Sequence, residues 1–338
     1  MLRYSTCSAS VLFCTLALVA GFAVYGILVF FLQVGYMNKD DTLMCLSGPL
    51  EADDPKVLEV LRNKYLDPPM DLPYRPIMHA MMNLGKKSHT WPWINHYIKL
   101  LFSGHRDGFF IEAGALDGVY LSNTLWLEQE MNWSGLLIEA DAINYEALMK
   151  RQRRAWSSPT CISSTRYPKK TIFVSHSVRP NSQIMISPWS YRSHGHELDD
   201  DIDQSDFDAD YRSYSEVQCF PLISYLAALN VTTVDLLSLD IQGSEIKVLS
   251  NYLSSSSGVY IRVIVMEYEY DNMDVYFMTK MKHHGYILLA KEMDYIFVKK
   301  RDRILQRPEV REILRFTTKR AALEASKNST PTSNSSQR

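Results

Sequence analysis

The sequence carries no excess of charge: 36 lysines and arginines oppose 38 aspartates and glutamates over 338 residues, a formal net charge of -2. A phosphate backbone is gripped by a broad basic surface, and a single strand by aromatics interleaved with basic runs. The chain has neither pattern, which excludes nucleic acid as a partner. Cysteine is scarce, five residues in all, so this is no small stapled scaffold. With 46% hydrophobic residues the chain can instead bury the core of a domain of about 200 residues. Familiar motifs are missing as well. There is no Gly-x-Gly-x-x-Gly, no phosphate loop and no Gly-x-Ser-x-Gly elbow, which removes the dinucleotide fingerprint, the triphosphate cradle and the serine-hydrolase turn. No internal repeat is present.

What the sequence does have, near its start, is one long uncharged run. Residues 11–34, VLFCTLALVAGFAVYGILVFFLQV, contain no charge, and at ~1.5 Å per helical residue they match the roughly 30 Å hydrocarbon core of a bilayer. A cleaved signal has a shorter apolar stretch, about 7 to 15 residues, and a small-residue cleavage site; the expectation is therefore a transmembrane signal anchor. Arg3 precedes the run, whereas Lys39 is followed at once by Asp40 and Asp41. That bias predicts a short cytosolic tail at 1–10 and a lumenal or extracellular remainder. The expected address is a single-pass type II protein of the endoplasmic reticulum, Golgi or endosomes. Sequons at Asn132, Asn230, Asn328 and Asn334 permit glycosylation on the lumenal side. Cys45, Cys161 and Cys219 would share that side, and two readings stay open: one disulfide, with Cys161 and Cys219 as a candidate pair, or three buried free thiols.

Asp54 followed by Pro55 predicts a capped helix over 55–66, after which LDPPMDLPYRP interrupts any regular element. In WPWINHYIKLLF, Trp93, Tyr97, Leu100 and Leu101 recur at helical spacing and are expected to face the following domain. Residues 38–104 thus form a stem with lead-in helices. From Gly108 onward, apolar runs alternate with amphipathic stretches: FFIEAG, a helix around 121–130, GLLIEAD, and a helix over 142–154. TIFVS at 171–175 is the expected third strand, VDLLSLD at 234–240 the fourth and YIRVIVMEYEY at 260–270 the fifth, with helices at 221–229 and 244–252. This is the βαβα rhythm of a parallel sheet. GYILLAKEM and DYIFVKK are joined too tightly for a parallel crossover and must pair antiparallel. Residues 105–300 therefore form one domain. A polar insertion at 177–215 interrupts it, and a helix over 301–325 and a disordered, low-complexity tail at 326–338 follow it.

Chemistry concentrates where strands end. In FFIEAGALDGVYLSNT the strand closes on Glu112 and turns through Gly114 and Gly118, a turn that lets backbone approach a ligand closely. The next strand ends LLIEAD, leaving Glu139 at the carboxyl edge, where a carboxylate can accept both hydroxyls of an adenosine ribose. Asp141 is expected to cap the helix that follows. LSLDIQGSEIKVL places Asp240 at a strand end and Glu245 in the first helical turn, two acids able to face one cleft. Elsewhere, a run of seven aspartates between 199 and 210 has no apolar strand leading into it, as a solvated loop would. His194 and His196 lack a third ligand at metal spacing, His283 and His284 suit a helix C-terminus, and KRQRR at 150–154 is expected to be a solvated face. No metal is expected.

In this order, FIEAGALDG, LLIEAD, VDLLSLDIQGSEIKVL, VIVMEYEY and GYILLAKEMDYIFV resemble the FkbM-type methyltransferase family, over residues 105–300. Within the family, EAGALDG and YLSNTLWLE behind a single anchor resemble the Star-like branch of invertebrate proteins. The resemblance implies an α/β fold: a Rossmann-type, methyltransferase-like mixed sheet, parallel with a C-terminal antiparallel hairpin, plus one N-terminal transmembrane helix. It also implies S-adenosylmethionine near Glu112, Gly114, Gly118 and Glu139, and a catalytic cleft at Asp240 and Glu245. One departure bears on activity: Gln242 stands where the family commonly has glutamate, and an amide cannot act as a base. The Star-like branch implies a role without catalysis, the transport of epidermal-growth-factor-receptor ligand precursors. Its partners would be membrane-bound EGF-like growth-factor precursors, and the lipid bilayer through residues 11–34. Two functions follow, a transport module or a membrane-anchored S-adenosylmethionine-dependent O-methyltransferase.

Overall fold

A computed structural model describes residues 50–71, 90–177, 194–198, 212–268, 273–292 and 294–328. In chain order the strands are β1 (Phe109–Ala113), β2 (Ser134–Ile138), β3 (Trp156–Ser158), β4 (Cys161–Ile162), β5 (Lys169–His176), β6 (His196–Glu197), β7 (Arg212–Phe220), β8 (Thr233–Leu239), β9 (Tyr260–Glu267), β10 (Tyr286–Lys291) and β11 (Asp294–Lys299). The helices are α1 (Pro55–Lys64), α2 (Pro92–Phe102), α3 (Leu125–Met131), α4 (Ala142–Arg151), α5 (Leu222–Ala228), α6 (Glu245–Leu253), α7 (Val275–His283) and α8 (Pro308–Asn328).

The principal sheet has seven strands in the order β10-β11-β9-β8-β1-β2-β3. Pairing is parallel from β9 through β3, and β11 runs against both β9 and β10. The expected mixed sheet with its antiparallel hairpin is therefore present. Parallel strands are covered on both faces, which is why they appear as unbroken apolar runs rather than alternating ones. Phe110, Leu136, Leu137, Leu236, Leu237, Val263 and Ile264 are fully buried, each contributing roughly 1.5–3 kcal/mol by leaving water. From β1 the chain moves outward through β2 and β3, then returns to the other side at β8. The carboxyl edge between β1 and its two neighbours is thus the topological switch point, where open α/β sheets bind ligands.

Several expectations need correction. TIFVS does form a strand, β5, but outside the principal sheet. It pairs antiparallel with β7 from Lys169↔Cys219 to His176↔Arg212, in a second sheet ordered β4-β7-β5-β6. The third parallel strand is the shorter WSS segment, β3. The Cys161–Cys219 pair forms a disulfide between register partners of β4 and β7. Its 58-residue separation corresponds to about 4 kcal/mol of restricted unfolded-chain entropy. On α2 the fully buried face is Ile94, Ile98, Leu101 and Phe102, with Trp93, Tyr97 and Leu100 flanking it. The C-terminal helix continues to Asn328.

The fold class was expected to include a transmembrane helix, and that part is overturned: among the described residues no helix is long and apolar enough to cross a membrane. α8 has 21 residues, but PEVREILRFTTKRAALEASKN carries charge along its whole length, and an unpaired charge at the bilayer centre is costly. Residues 11–34 lie outside the described residues, as does the aspartate run at 199–210.

Candidate functional site at the carboxyl edge

Glu112 is the last residue but one of strand β1, and beyond Ala113 the chain passes through Gly114, Leu116, Gly118 and Leu121, all with positive φ. A Cβ at Gly114 would lie 1.8 Å from the Asp240 carbonyl oxygen, so glycine there permits the turn to rest on the end of β8. The Asp240 amide in turn donates to the Ala113 carbonyl at 3.1 Å. Gly118 sits beside Leu148 and receives the Arg153 guanidinium on its carbonyl.

The turn is fastened by its own acids. Glu112 accepts from the Asn123 amide at 2.6 Å, the Ser122 hydroxyl at 2.8 Å and the Thr124 hydroxyl at 2.6 Å. Burial pushes its pKa up, opposed by Arg153 and these donors. Asp117, fully buried, accepts from the Val119 and Tyr120 amides and pairs with Arg151 at 2.8 Å. Arg153 pairs with Glu128 at 2.8 Å, both side chains 1% exposed. The KRQRR run is therefore a solvated face only in part: Lys150 and Arg154 are exposed, but α4 stops at Gln152, φ 58, and Arg153 is directed inward beneath the turn.

Glu139 sits where expected, just beyond β2, but it is 4% exposed. Its Oε2 accepts the Leu116 amide at 2.8 Å, and its Oε1 accepts the Asp141 amide at 2.8 Å and the Asn144 side chain at 3.3 Å. Burial pushes its pKa up to about 8, which favours a protonated group at neutral pH. Asp141 caps α4 through the Ile143 and Asn144 amides, as expected.

On the other side of β1, acids gather around Asp240. Its Oδ1 accepts the Gln242 amide at 2.9 Å, and the same amide nitrogen reaches Glu267 at the end of β9. Glu245 turns back over the β8–α6 loop, accepting the Ile241 amide at 2.8 Å and the Gly243 amide at 3.0 Å. Burial raises Glu245 to about 7 and Asp294 to about 7, with Asp240 adding to both. Glu267 is raised well above its ordinary value by burial and then by Asp240. Asp294 and Glu267 escaped the sequence reading. Each had a signal: Glu267 ends a parallel strand, and Asp294 opens the reversed strand, which brings it to the same edge. Among the described residues no group of these side chains is arranged to hold a metal ion.

Both halves of the expected site thus meet at one edge, Glu112, Gly114, Gly118 and Glu139 on one side and Asp240 and Glu245 on the other. As folded they do not fit S-adenosylmethionine well. A ribose diol requires an open carboxylate, whereas Glu139 is enclosed and bonded through both oxygens; the space beside Gly114 is filled by Asp240.

The seven-stranded order with its single reversed strand and its acid-lined switch point defines an α/β domain of the methyltransferase-like class. The methyltransferase FkbM domain family matches residues 112–288, more than half of the chain, and the chain belongs to that family. Among solved structures it is similar to a TehB-like SAM-dependent methyltransferase from Corynebacterium glutamicum, with a TM-score of 0.30 and 11% identity over 60% of this chain and 86% of that one. It is also similar to the METTL16 MTase domain, with a TM-score of 0.32 and 11% identity over 75% of this chain and 83% of that one. No curated protein matches the chain.

Proposed function

We propose that this chain uses its methyltransferase FkbM domain as a partner-binding module, in endoplasmic-reticulum-to-Golgi and endosomal transport of membrane-bound EGF-like growth-factor precursors. The observation that carries the non-catalytic part is Glu139, whose two oxygens are occupied by Leu116, Asp141 and Asn144. Gln242 adds to it, because an amide bridges Asp240 and Glu267 where a base would be needed. The transport part rests on the likeness of EAGALDG and YLSNTLWLE to the Star-like branch. The Cys161–Cys219 disulfide supports an oxidising compartment.

A second reading, an S-adenosylmethionine-dependent O-methyltransferase, draws support from family membership. The raised carboxyls of Glu245 and Asp294 also favour it, since an acid titrating near neutrality suits general base catalysis. Calorimetric titration of the full chain with S-adenosylmethionine separates the two. No heat at millimolar cofactor supports the module; saturable binding together with formation of S-adenosylhomocysteine supports the enzyme reading. The transport role is tested in cells: removing the protein should retain the precursor in the endoplasmic reticulum, and normal export would refute it.

A further inference from the structure

A second concave site lies at the opposite, amino edge of the sheet. Here the Phe109 amide donates to Asp235 Oδ2 at 2.9 Å, and Asp235 Oδ1 holds Arg262 Nη1 at 3.3 Å. Asp302 holds the same guanidinium at 3.1 Å through Oδ2, accepts the Tyr260 hydroxyl at 2.9 Å, and caps the 3-10 turn Arg303–Gln306 through the Ile304 amide at 2.9 Å. Both aspartates are buried, so Arg262 is fixed in place while keeping 24% of its side chain exposed. Arg307 is fixed too, donating Nη1 to the Leu101 carbonyl at 2.9 Å.

These groups line a cavity of about 610 Å³ with Arg301 and Arg303 on its rim. Arg301 and Arg303 are exposed and form no ion pair among the described residues. Four arginines therefore line the cavity against two aspartates, Asp302 in its lining and Asp235 beneath it, both of which are paired to Arg262, on a chain whose net charge is -2. The volume falls in the ~300–1,000 Å³ range of small-molecule sites. Two of the guanidiniums are held before any ligand arrives, Arg262 by its two ion pairs and Arg307 by a hydrogen bond, which lowers the ordering cost of binding. Planar guanidinium forks match the oxygens of phosphate and sulfate, two bonds at a time. A single carboxylate would engage only one fork; four around one cavity suit a ligand with several anionic groups.

We propose that this cavity binds a small multivalent oxyanion, a ligand carrying several closely spaced phosphate or sulfate groups. The site is independent of the carboxyl edge and of the transport reading.

The test is calorimetric titration of the full chain with inositol hexakisphosphate and, separately, a heparin hexasaccharide, at about 150 mM salt so that diffuse attraction is screened. Micromolar binding of at least one is expected, and the stronger arm identifies the source as phosphate or sulfate. Arg301→Glu with Arg303→Glu should weaken it tenfold or more, while the distant charge reversals Lys56→Glu with Lys282→Glu should leave it within twofold. Absence of binding to both probes at millimolar concentration would overturn the proposal, as would equal losses in the two double variants. If the arginine pair fails to fold, Arg303→Gln alone decides: a threefold loss supports the site, and unchanged affinity removes it.

Discussion

The Leu116 amide donates to Glu139 Oε2 at 2.8 Å, so the turn that leaves β1 is tied to the end of β2 by the carboxyl that a nucleoside would otherwise use. The tie has an energetic signature. Burial raises the Glu139 pKa to about 8, and Glu139→Gln preserves its shape and one acceptor oxygen, for Asp141 and Asn144, but sets an amide NH2 against the Leu116 N–H. That variant should lie within about 1 kcal/mol of the wild type in urea unfolding, whereas Glu139→Ala, which strips the Leu116, Asp141 and Asn144 donors of their acceptor, should lose about 2–3 kcal/mol. Equal losses would show that the tie does not matter.

Gly114→Ala should cost about 3 kcal/mol or more, or prevent folding, because the new Cβ meets a backbone oxygen at 1.8 Å and φ is 81°. Gly104 is the internal control: its φ is 80° with nothing within 4 Å, so Gly104→Ala reports backbone strain alone, about 1 kcal/mol. Equal midpoints in denaturant would remove the Gly114–Asp240 approach as a constraint.

Stability should decline between about pH 4.5 and 8. Glu139 is raised from 4.5 to about 8, Glu245 from 4.5 to about 7 and Asp294 from 3.8 to about 7, burial being the first cause in each. The folded chain therefore keeps protons that the unfolded chain has released. The stabilisation is complete below the unfolded values and is lost as pH rises through the folded ones, at up to about 1.4 kcal/mol per unit for each group. His176 acts in the opposite sense at lower pH. Burial and then His196, Arg212 and His194 lower it from 6.5 to about 4, so its contribution is present above 6.5 and fades on acidification. Three falling contributions outweigh the single rising one, so thermal midpoints should peak near pH 4.5 and be lower by about 5 °C or more at pH 8. A flat profile from 6.5 to 8 would contradict the raised carboxyls.

Arg153→Met should destabilise the fold by about 3–5 kcal/mol, since it leaves Glu128 in the interior without its guanidinium. Adding Glu128→Gln to the same chain should recover part of that loss. Chemical denaturation of the two variants measures both steps, and a double variant no better than the single one would place the cost in packing against Phe110, over whose ring Arg153 lies at 5.8 Å, instead of in charge.

Arg153 also illustrates what was not legible. In KRQRR it belongs to a run of cations that resembles any solvated helix end. Only the left-handed Gln152 that ends α4 and the acid Glu128 on α3 make it a buried staple. β5 was legible as a strand and illegible as to its sheet, because its partner β7 begins 36 residues after it ends and no local pattern encodes such a pairing. Strand-end acids were more transparent. Glu112, Glu139 and Asp240 each follow an apolar run, and parallel pairing forces such residues to a common edge.

By itself the sequence determined the α/β alternation, the closing antiparallel hairpin, the caps at Asp54 and Asp141, and the edge at which the acids gather, because each depends on burial pattern and local backbone chemistry. Tertiary structure alone decided what those acids do. Whether a carboxyl meets a ligand, a backbone amide or another acid depends on distances between segments remote in the chain, and here the Leu116 amide lies within reach of Glu139 while Gln242 spans Asp240 and Glu267. It also decided that Arg262 is held between Asp235 and Asp302 at the opposite edge, three residues from β8, β9 and the segment after β11 that no sequence pattern joins.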